Sequence, residues 1–208
     1  MKSFVKYFGF LFICLSSCTP IGIGPYPVRP TQYIPKDFKD YADFKSGSYW
    51  VYENTANASD IDSVTITSHV QRVEGQPDGL APCEQITDQI HSSATGNYFA
   101  STGIEPDSVY CDYTLTDATG NHSQIIYFTA DHVGEVEMLF GNLEYMDFKD
   151  TLSIGNSVYK SVKEFKIIGK PVSSTILPSV YWAKNIGIIR KTTPDGKIWN
   201  LIRYHVVQ

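Results

Sequence analysis

The sequence predicts an all-β protein: a single antiparallel domain arranged as a curved sheet, a barrel or a sandwich. Three observations carry this. Short segments in which apolar and polar residues alternate recur from Gly47 to the C-terminus, with Tyr, Trp, Val, Ile and Thr at the positions that strands favour. Turn residues separate these segments at short intervals. Helical i, i+3, i+4 spacing is confined to one brief stretch.

The N-terminal residues stand apart from that domain. Lys2 and Lys6 give residues 1–6 a positive charge with no acid, and residues 7–15 form an apolar run. That run is far shorter than the ~20 apolar residues of a membrane-spanning helix and has the size of a signal-peptide core. Leu15-Ser16-Ser17-Cys18 follows. An apolar residue and two small ones before a cysteine resemble the lipobox of bacterial lipoproteins. The resemblance implies a signal peptide over residues 1–17, diacylglyceryl transfer to the Cys18 sulfur, cleavage before Cys18 and acylation of its new amino group. The lipid bilayer is then the first expected partner, reached through acylated Cys18. One acyl chain anchors only marginally, at ~0.8 kcal/mol per buried CH₂, whereas two or more anchor stably. The same resemblance implies a location. Thr19 is not the Asp that marks inner-membrane retention, and no acidic cluster of the surface-export kind follows Cys18. An outer-membrane lipoprotein facing the periplasm is therefore expected.

Residues 18–35 are expected to be the lipidated tether. Pro20, Pro25, Pro27, Pro30 and Pro35, with Gly22 and Gly24, resist both helix and central strand. The β domain is expected over residues 36–208. It opens with the one helical pattern, in which Phe38, Tyr41 and Ala42 share a face. Residues 48–54 then read as an aromatic strand. Val64, Ile66 and Val70 alternate with Thr65, Thr67, His69 and Gln71, as in a strand with one wet face, and this places His69 on the wet side. Further strands are predicted at 83–90, 108–116, 123–129, 133–140, 158–168, 180–184, 187–192 and 198–207. The strongest turn signal is Thr193-Pro194-Asp195-Gly196-Lys197, where proline presets one turn dihedral and glycine takes the positive one. It should join the last two strands as a hairpin. Asp117-Ala118-Thr119-Gly120-Asn121 and Ile154-Gly155-Asn156 read as further turns.

Gly47-Ser48-Tyr49-Trp50-Val51-Tyr52-Glu53 resembles the opening strand of many small Bacteroidota lipoproteins. Tyr159-Lys160-Ser161-Val162 is similar to their later strands. So are Tyr181-Trp182-Ala183-Lys184-Asn185-Ile186-Gly187-Ile188-Ile189-Arg190 and the Trp199-Asn200-Leu201 that follows. The resemblance implies an antiparallel β domain on a lipid anchor. Comparable tails occur in curved-sheet carriers of lipoproteins and lipids.

Charge narrows the partners. Without Lys2 and Lys6 the chain keeps 15 basic against 22 acidic side chains, a net charge of −7. Such a balance argues against nucleic acid, which needs a basic face. Beyond Cys18 two cysteines remain, Cys83 and Cys111. In an oxidising compartment such a pair reads as a disulfide, whose closure is worth roughly 3–4 kcal/mol on the chain-entropy model. Sequence alone leaves open whether they bond.

Local signatures of chemistry are absent. The five histidines form no metal-ligand spacing. There is no nucleophile elbow and no glycine-rich phosphate loop. No catalytic residue, metal ligand or cofactor is therefore assigned. Asp60-Ile61-Asp62 and Glu135-Val136-Glu137 each place two carboxylates on one strand face. They fit a solvated face, or a glycosidase or cation site. Tyr49, Trp50, Tyr52, Tyr181, Trp182 and Trp199 fit either a concave ligand face or a core where the first and last strands meet. Asp62-Ser63-Val64, Asp107-Ser108-Val109 and Asp150-Thr151-Leu152 resemble the acceptor motif of Bacteroidota O-glycosylation, which makes Ser63, Ser108 and Thr151 candidate modification sites. The expected role is a non-catalytic binding or structural component of the cell envelope, with an envelope protein or glycan as partner. The alternatives are a lipid or lipoprotein carrier with a concave apolar face, and a glycan-directed hydrolase.

Overall fold

The computed structural model describes residues 29–75, 81–105, 108–117, 120–129, 135–136, 142–168 and 177–208. Within 105–146, Thr114 excepted, and at 167–168 it describes the backbone alone. Residues 1–28, on which the expected signal peptide, Cys18 and most of the expected tether fall, lie outside the described residues.

Among the described residues one short helix, α1 (Lys36–Ala42), precedes the strands. The strands are β1 (Tyr49–Asn54), β2 (Asn57–Glu74), β3 (Cys83–Ser92), β4 (Gly96–Glu105), β5 (Ser108–Asp117) and β6 (Gly120–Thr129). They continue as β7 (Glu135–Val136), β8 (Asn142–Ile154), β9 (Ser157–Ile168), β10 (Ser179–Ala183), β11 (Gly187–Thr192) and β12 (Ile198–His205). Among the described residues these form one 12-stranded sheet in the order β6-β5-β4-β3-β2-β1-β12-β11-β10-β9-β8-β7. Every pairing is antiparallel. The chain is thus two meanders joined where β1 meets β12, and the sheet curls into a half-barrel. A sandwich would need two sheets, so of the arrangements the sequence allowed the curved sheet is the one formed.

Turn chemistry lies where the sequence puts it. Thr192 opposes Ile198 across the β11–β12 hairpin, Thr193 N–H donates to the Lys197 carbonyl at 2.9 Å, and Gly196 takes φ +80°. Gly155, at φ +57°, turns β8 into β9. Two strands escape the sequence pattern, β4 and β8. Gly96, Ala100, Ser101 and Gly103 give β4 little strand preference. In β8 a bulge between Tyr145 and Asp147 breaks the alternation.

The concave face holds the core. Trp50, Tyr52, Trp182 and Trp199 are all buried on it, whereas Tyr49 and Tyr181 are half-buried on the other side of their strands. Trp50, Tyr52 and Trp199 therefore form the core at the β1–β12 junction, and Trp182 belongs to the neighbouring cluster around α1. Phe44 meets Trp50 edge-on at 5.3 Å, and Trp50 Nε1 donates to the Ile186 carbonyl at 2.5 Å. Gly187 lies under this contact at φ +95°, where a Cβ would come within 3.2 Å of both rings. Only glycine meets both demands.

Helix α1 has seven residues, too few to be stable alone in water. It lies in the hollow of the sheet. Phe38 and Tyr41 pack with Ile34 in a cluster that takes Ile86 from β3, Phe165 from β9, and Val180 and Trp182 from β10. Five strands separate β3 from β9 in the sheet, so α1 bridges opposite walls. Polar bonds fix it to both. Lys39 reaches Glu84 on β3 at 2.7 Å, and Tyr41 Oη donates to the Ser161 carbonyl on β9 at 3.0 Å. Asp40 holds Lys36 and Lys184, and its carbonyl accepts the Asn185 N–H. The Lys36 and Lys184 ammonium groups keep its carboxyl below the usual range.

Candidate functional site

The unusual chemistry of the molecule sits on the inner face of β3. Strand alternation puts Glu84, Ile86, Asp88, Ile90 and Ser92 on one side, and all five are buried. Two carboxylates and a hydroxyl therefore share a face with two isoleucines. Buried charges persist only where something compensates them, so each has a partner.

Glu84 receives three donors. Lys39 Nζ lies 2.7 Å from Oε1, the Ile34 N–H lies 2.8 Å from Oε2, and Gln71 Nε2 donates to Oε1. Burial pushes the carboxyl up, and these bonds outweigh it, so the net shift is downward. Next to this site, Gln32 makes a parallel bridge with Cys83, which draws the entering chain onto the rim of β3.

At the far end of β3, Ser92 donates to Asp62 at 2.8 Å. Asp62, 1% exposed, also accepts Ser93 Oγ and the Ala94 N–H, and lies 2.5 Å from Lys191 Nζ on β11. Burial raises the Asp62 carboxyl, but Lys191 more than offsets it and the shift is downward. The Lys191 ammonium also lies 4.5 Å from the centroid of the Tyr52 ring. Burial likewise pushes the Tyr52 phenol well above its ordinary range. Asp62 is thus not a solvated residue but a buried, paired one. Its neighbour Asp60 is bonded to Asn54 and Lys197, so each carboxylate is engaged with its own lysine. Glu137, of the other sequence pair, lies outside the described residues.

Between these sites is Asp88, and here the sequence expectation is overturned. A bulge between Ile66 and Ser68 inserts Thr67 into β2 and reverses the alternation beyond it. Val70 is turned outward and is 48% exposed. His69 is turned inward, directly opposite Asp88, with a side chain 9% exposed. Its Nδ1 lies 2.7 Å from Asp88 Oδ1. Its Nε2 is buried without a hydrogen-bond partner, 3.6 Å from Asp43 Oδ1 in the segment leaving α1. Lys45 Nζ lies 3.1 Å from the same Asp43 oxygen. Burial raises the Asp88 carboxyl to about 6, against the opposing bond and charge of His69.

A carboxylate behind an imidazole is half of a general-base arrangement. The other half needs a hydroxyl, thiol or water proton within reach of the free nitrogen. Here Nε2 faces a second carboxylate. Among the described residues no three His, Cys, Asp or Glu side chains are placed to hold a metal ion.

No known family, curated protein or solved structure matches the chain.

The remaining sequence candidates are dispersed. Cys83 is buried on β3. Cys111 opposes Thr102 on β4, which opposes Ile86 on β3, so the register sets the two cysteines two strands apart and three residues out of line. Two strand spacings alone are about 10 Å, against the roughly 7 Å limit for bridged Cα atoms. The Cys111 side chain itself lies outside the described residues. Ser63 is half-buried in β2 beside the buried Asp62, whereas Thr151 and Asp150 are exposed on β8. Ser108 opens β5, and its side chain lies outside the described residues. The residues that sequence reasoning missed are Glu84, Asp88 and Lys191. Their signal was parity: Glu84 and Asp88 alternate in step with Ile86 and Ile90, which puts acids on an apolar face.

Proposed function

We propose that the chain is a lipid-anchored component of the cell envelope, held through acylated Cys18, whose half-barrel binds a partner protein or glycan and performs no catalysis. The lipobox supports the anchor, and Thr19 with the lack of an acidic cluster after Cys18 supports the outer-membrane location. The observation that carries the non-catalytic part is how the interior carboxylates are used. Asp40, Asp62 and Glu84 each join separate segments of this chain through lysine ammonium groups. Engaged in that way, they serve the folding of this chain, which favours a structural use over chemistry on a substrate. The acyl chains supply the membrane affinity, which leaves the outer face of the sheet and its rims for the partner.

The test has two arms. Cells expressing the wild-type chain and Cys18→Ser are labelled with a radioactive fatty acid, and the chain is then cross-linked in intact envelopes and isolated. Label on the wild type alone, with a discrete cross-linked product, is expected. Label on Cys18→Ser, or turnover of an envelope glycan by the purified chain, overturns the reading.

A second reading rests on the position of α1. It covers a hollow lined by Ile86, Phe165, Val180 and Trp182. Lifted away, it would uncover an apolar concave surface of the kind a lipid or lipoprotein carrier needs. Saturable binding of a fluorescent fatty acid, competed by phospholipid, would favour the carrier over the first reading.

A further inference from the structure

The buried His69 nitrogen with no partner is a polar group that the core leaves unsatisfied, and such a group demands an account. The groups that face it come from three places: His69 from β2, Asp88 from β3, and Asp43 and Lys45 from the segment between α1 and β1. We propose that His69, Asp88 and Asp43 form a proton-operated latch: with both ring nitrogens protonated, the imidazole bridges the two carboxylates and holds the α1–β1 segment onto the sheet, and loss of that proton loosens it.

The geometry leaves few choices. If the neutral ring carries its proton on Nδ1, the bond to Asp88 is made, and the Nε2 lone pair then points at the Asp43 carboxylate 3.6 Å away. If the proton sits on Nε2, the Nδ1 lone pair meets Asp88 at 2.7 Å, which is tolerable only when Asp88 is itself protonated. Every arrangement that satisfies both nitrogens therefore holds one extra proton. Charge balance points the same way. Two carboxylates against Lys45 leave the cluster one negative charge, which the added proton cancels. The carboxyl of Asp88, raised to about 6 by burial, holds its proton in the same direction. A group whose proton is held more tightly in the closed state stabilises that state at low pH and loses the effect as pH rises.

The latch sits where release has a consequence. Lys45 N–H donates to the Val207 carbonyl at 2.7 Å, and Gly47 N–H donates to the Ile66 carbonyl at 2.9 Å, next to the bulge that turns His69 inward. Phe44, between Asp43 and Lys45, is the residue that covers Trp50. Loosening this segment frees the C-terminal attachment of α1 while its bonds to Glu84 and Ser161 remain.

Amide hydrogen exchange on the full-length chain in detergent tests this, with rates corrected for the pH dependence of chemical exchange. Protection of the Lys45 and Gly47 amides is expected to fall about tenfold or more between about pH 5 and pH 8, one proton's linkage. The Thr193 amide, bonded within the β11–β12 turn, should change less than about twofold over the same range. His69→Gln, which cannot bridge as a cation, should flatten the response. Asp43→Asn lies at the rim of the cluster and removes one of the two anions, so it should flatten the response even if His69→Gln fails to fold. Equal protection at both pH values in the wild-type chain overturns the proposal, as does an unchanged pH response in Asp43→Asn.

Discussion

Glu84 and Asp88 lie four residues apart on one face of one strand, both buried, and their carboxyls shift in opposite directions. Burial acts on both alike by disfavouring the charged form. The difference lies in what meets them. Glu84 faces a lysine, whose charge is permanent across the physiological range, together with a backbone N–H and an amide. Asp88 faces a histidine whose charge is conditional, with a second carboxylate behind it. The first arrangement is a fixed rivet between α1 and the sheet. The second answers to solution conditions. A buried acid is thus defined less by its depth than by whether its counter-charge can be switched off.

Three single substitutions and one double variant would break or sharpen this contrast. The largest effect is expected where the rivet is deepest, at Asp62, which has the same kind of partner as Glu84. Lys191→Met would leave Asp62 deeply buried without a counter-charge, held by Ser92, Ser93 and the Ala94 N–H alone, at a loss of about 3–5 kcal/mol. Urea unfolding of the wild type and the variant at neutral pH measures it. The Asp62→Asn, Lys191→Met double variant should recover much of that loss; equal instability of the two would show that packing rather than charge was at stake. Lys39→Met is the same experiment at a wetter site, because Lys39 is partly exposed and Glu84 keeps Gln71 and the Ile34 N–H. A smaller loss, about 1–3 kcal/mol, is expected from the same measurement. Asp88→Asn should do least at neutral pH, changing stability by less than about 1 kcal/mol, because it removes a charge that burial already disfavours. Its signature is in pH dependence. Glu84 and Asp62, with lowered carboxyls, add stability above their unfolded range and lose it as pH falls. Asp88, raised to about 6, does the reverse: its contribution is complete below its unfolded value of 3.8 and is lost as pH rises through about 6. Without Asp88 the opposing slope disappears. Urea midpoints between about pH 4 and pH 6 should therefore rise more steeply with pH in Asp88→Asn than in the wild type. A shallower rise would mean that Asp88 behaves like Glu84 and that the contrast is wrong.

The same contrast shows how far the sequence can be read. The β class, the β11–β12 hairpin and the aromatic junction of first and last strands follow from local patterns such as Pro194-Asp195-Gly196 and Tyr49-Trp50. The buried polar sites do not, for two physical reasons. Asp62 and Lys191 are 129 residues apart, and nothing local to either announces the other. Period-two alternation places His69 on the wet face because it assumes an unbroken strand, and one inserted residue at Thr67 inverts everything after it. Strand β4 was missed because its small residues carry little strand preference, although its backbone pairs as regularly as any other.

The pairing of β1 with β12 has an implication for how the molecule comes into being. The seam at the middle of the sheet joins residues about 150 positions apart, Tyr49 opposite His205. A ribosome delivering the chain in order hands over one half of that seam about 150 residues before the other. Until then Trp50 and Tyr52 have no second neighbour, and each meander has an open edge where the finished molecule has its centre. Losing the final eight-residue strand would therefore remove the keystone of the arch and not a stone from its end.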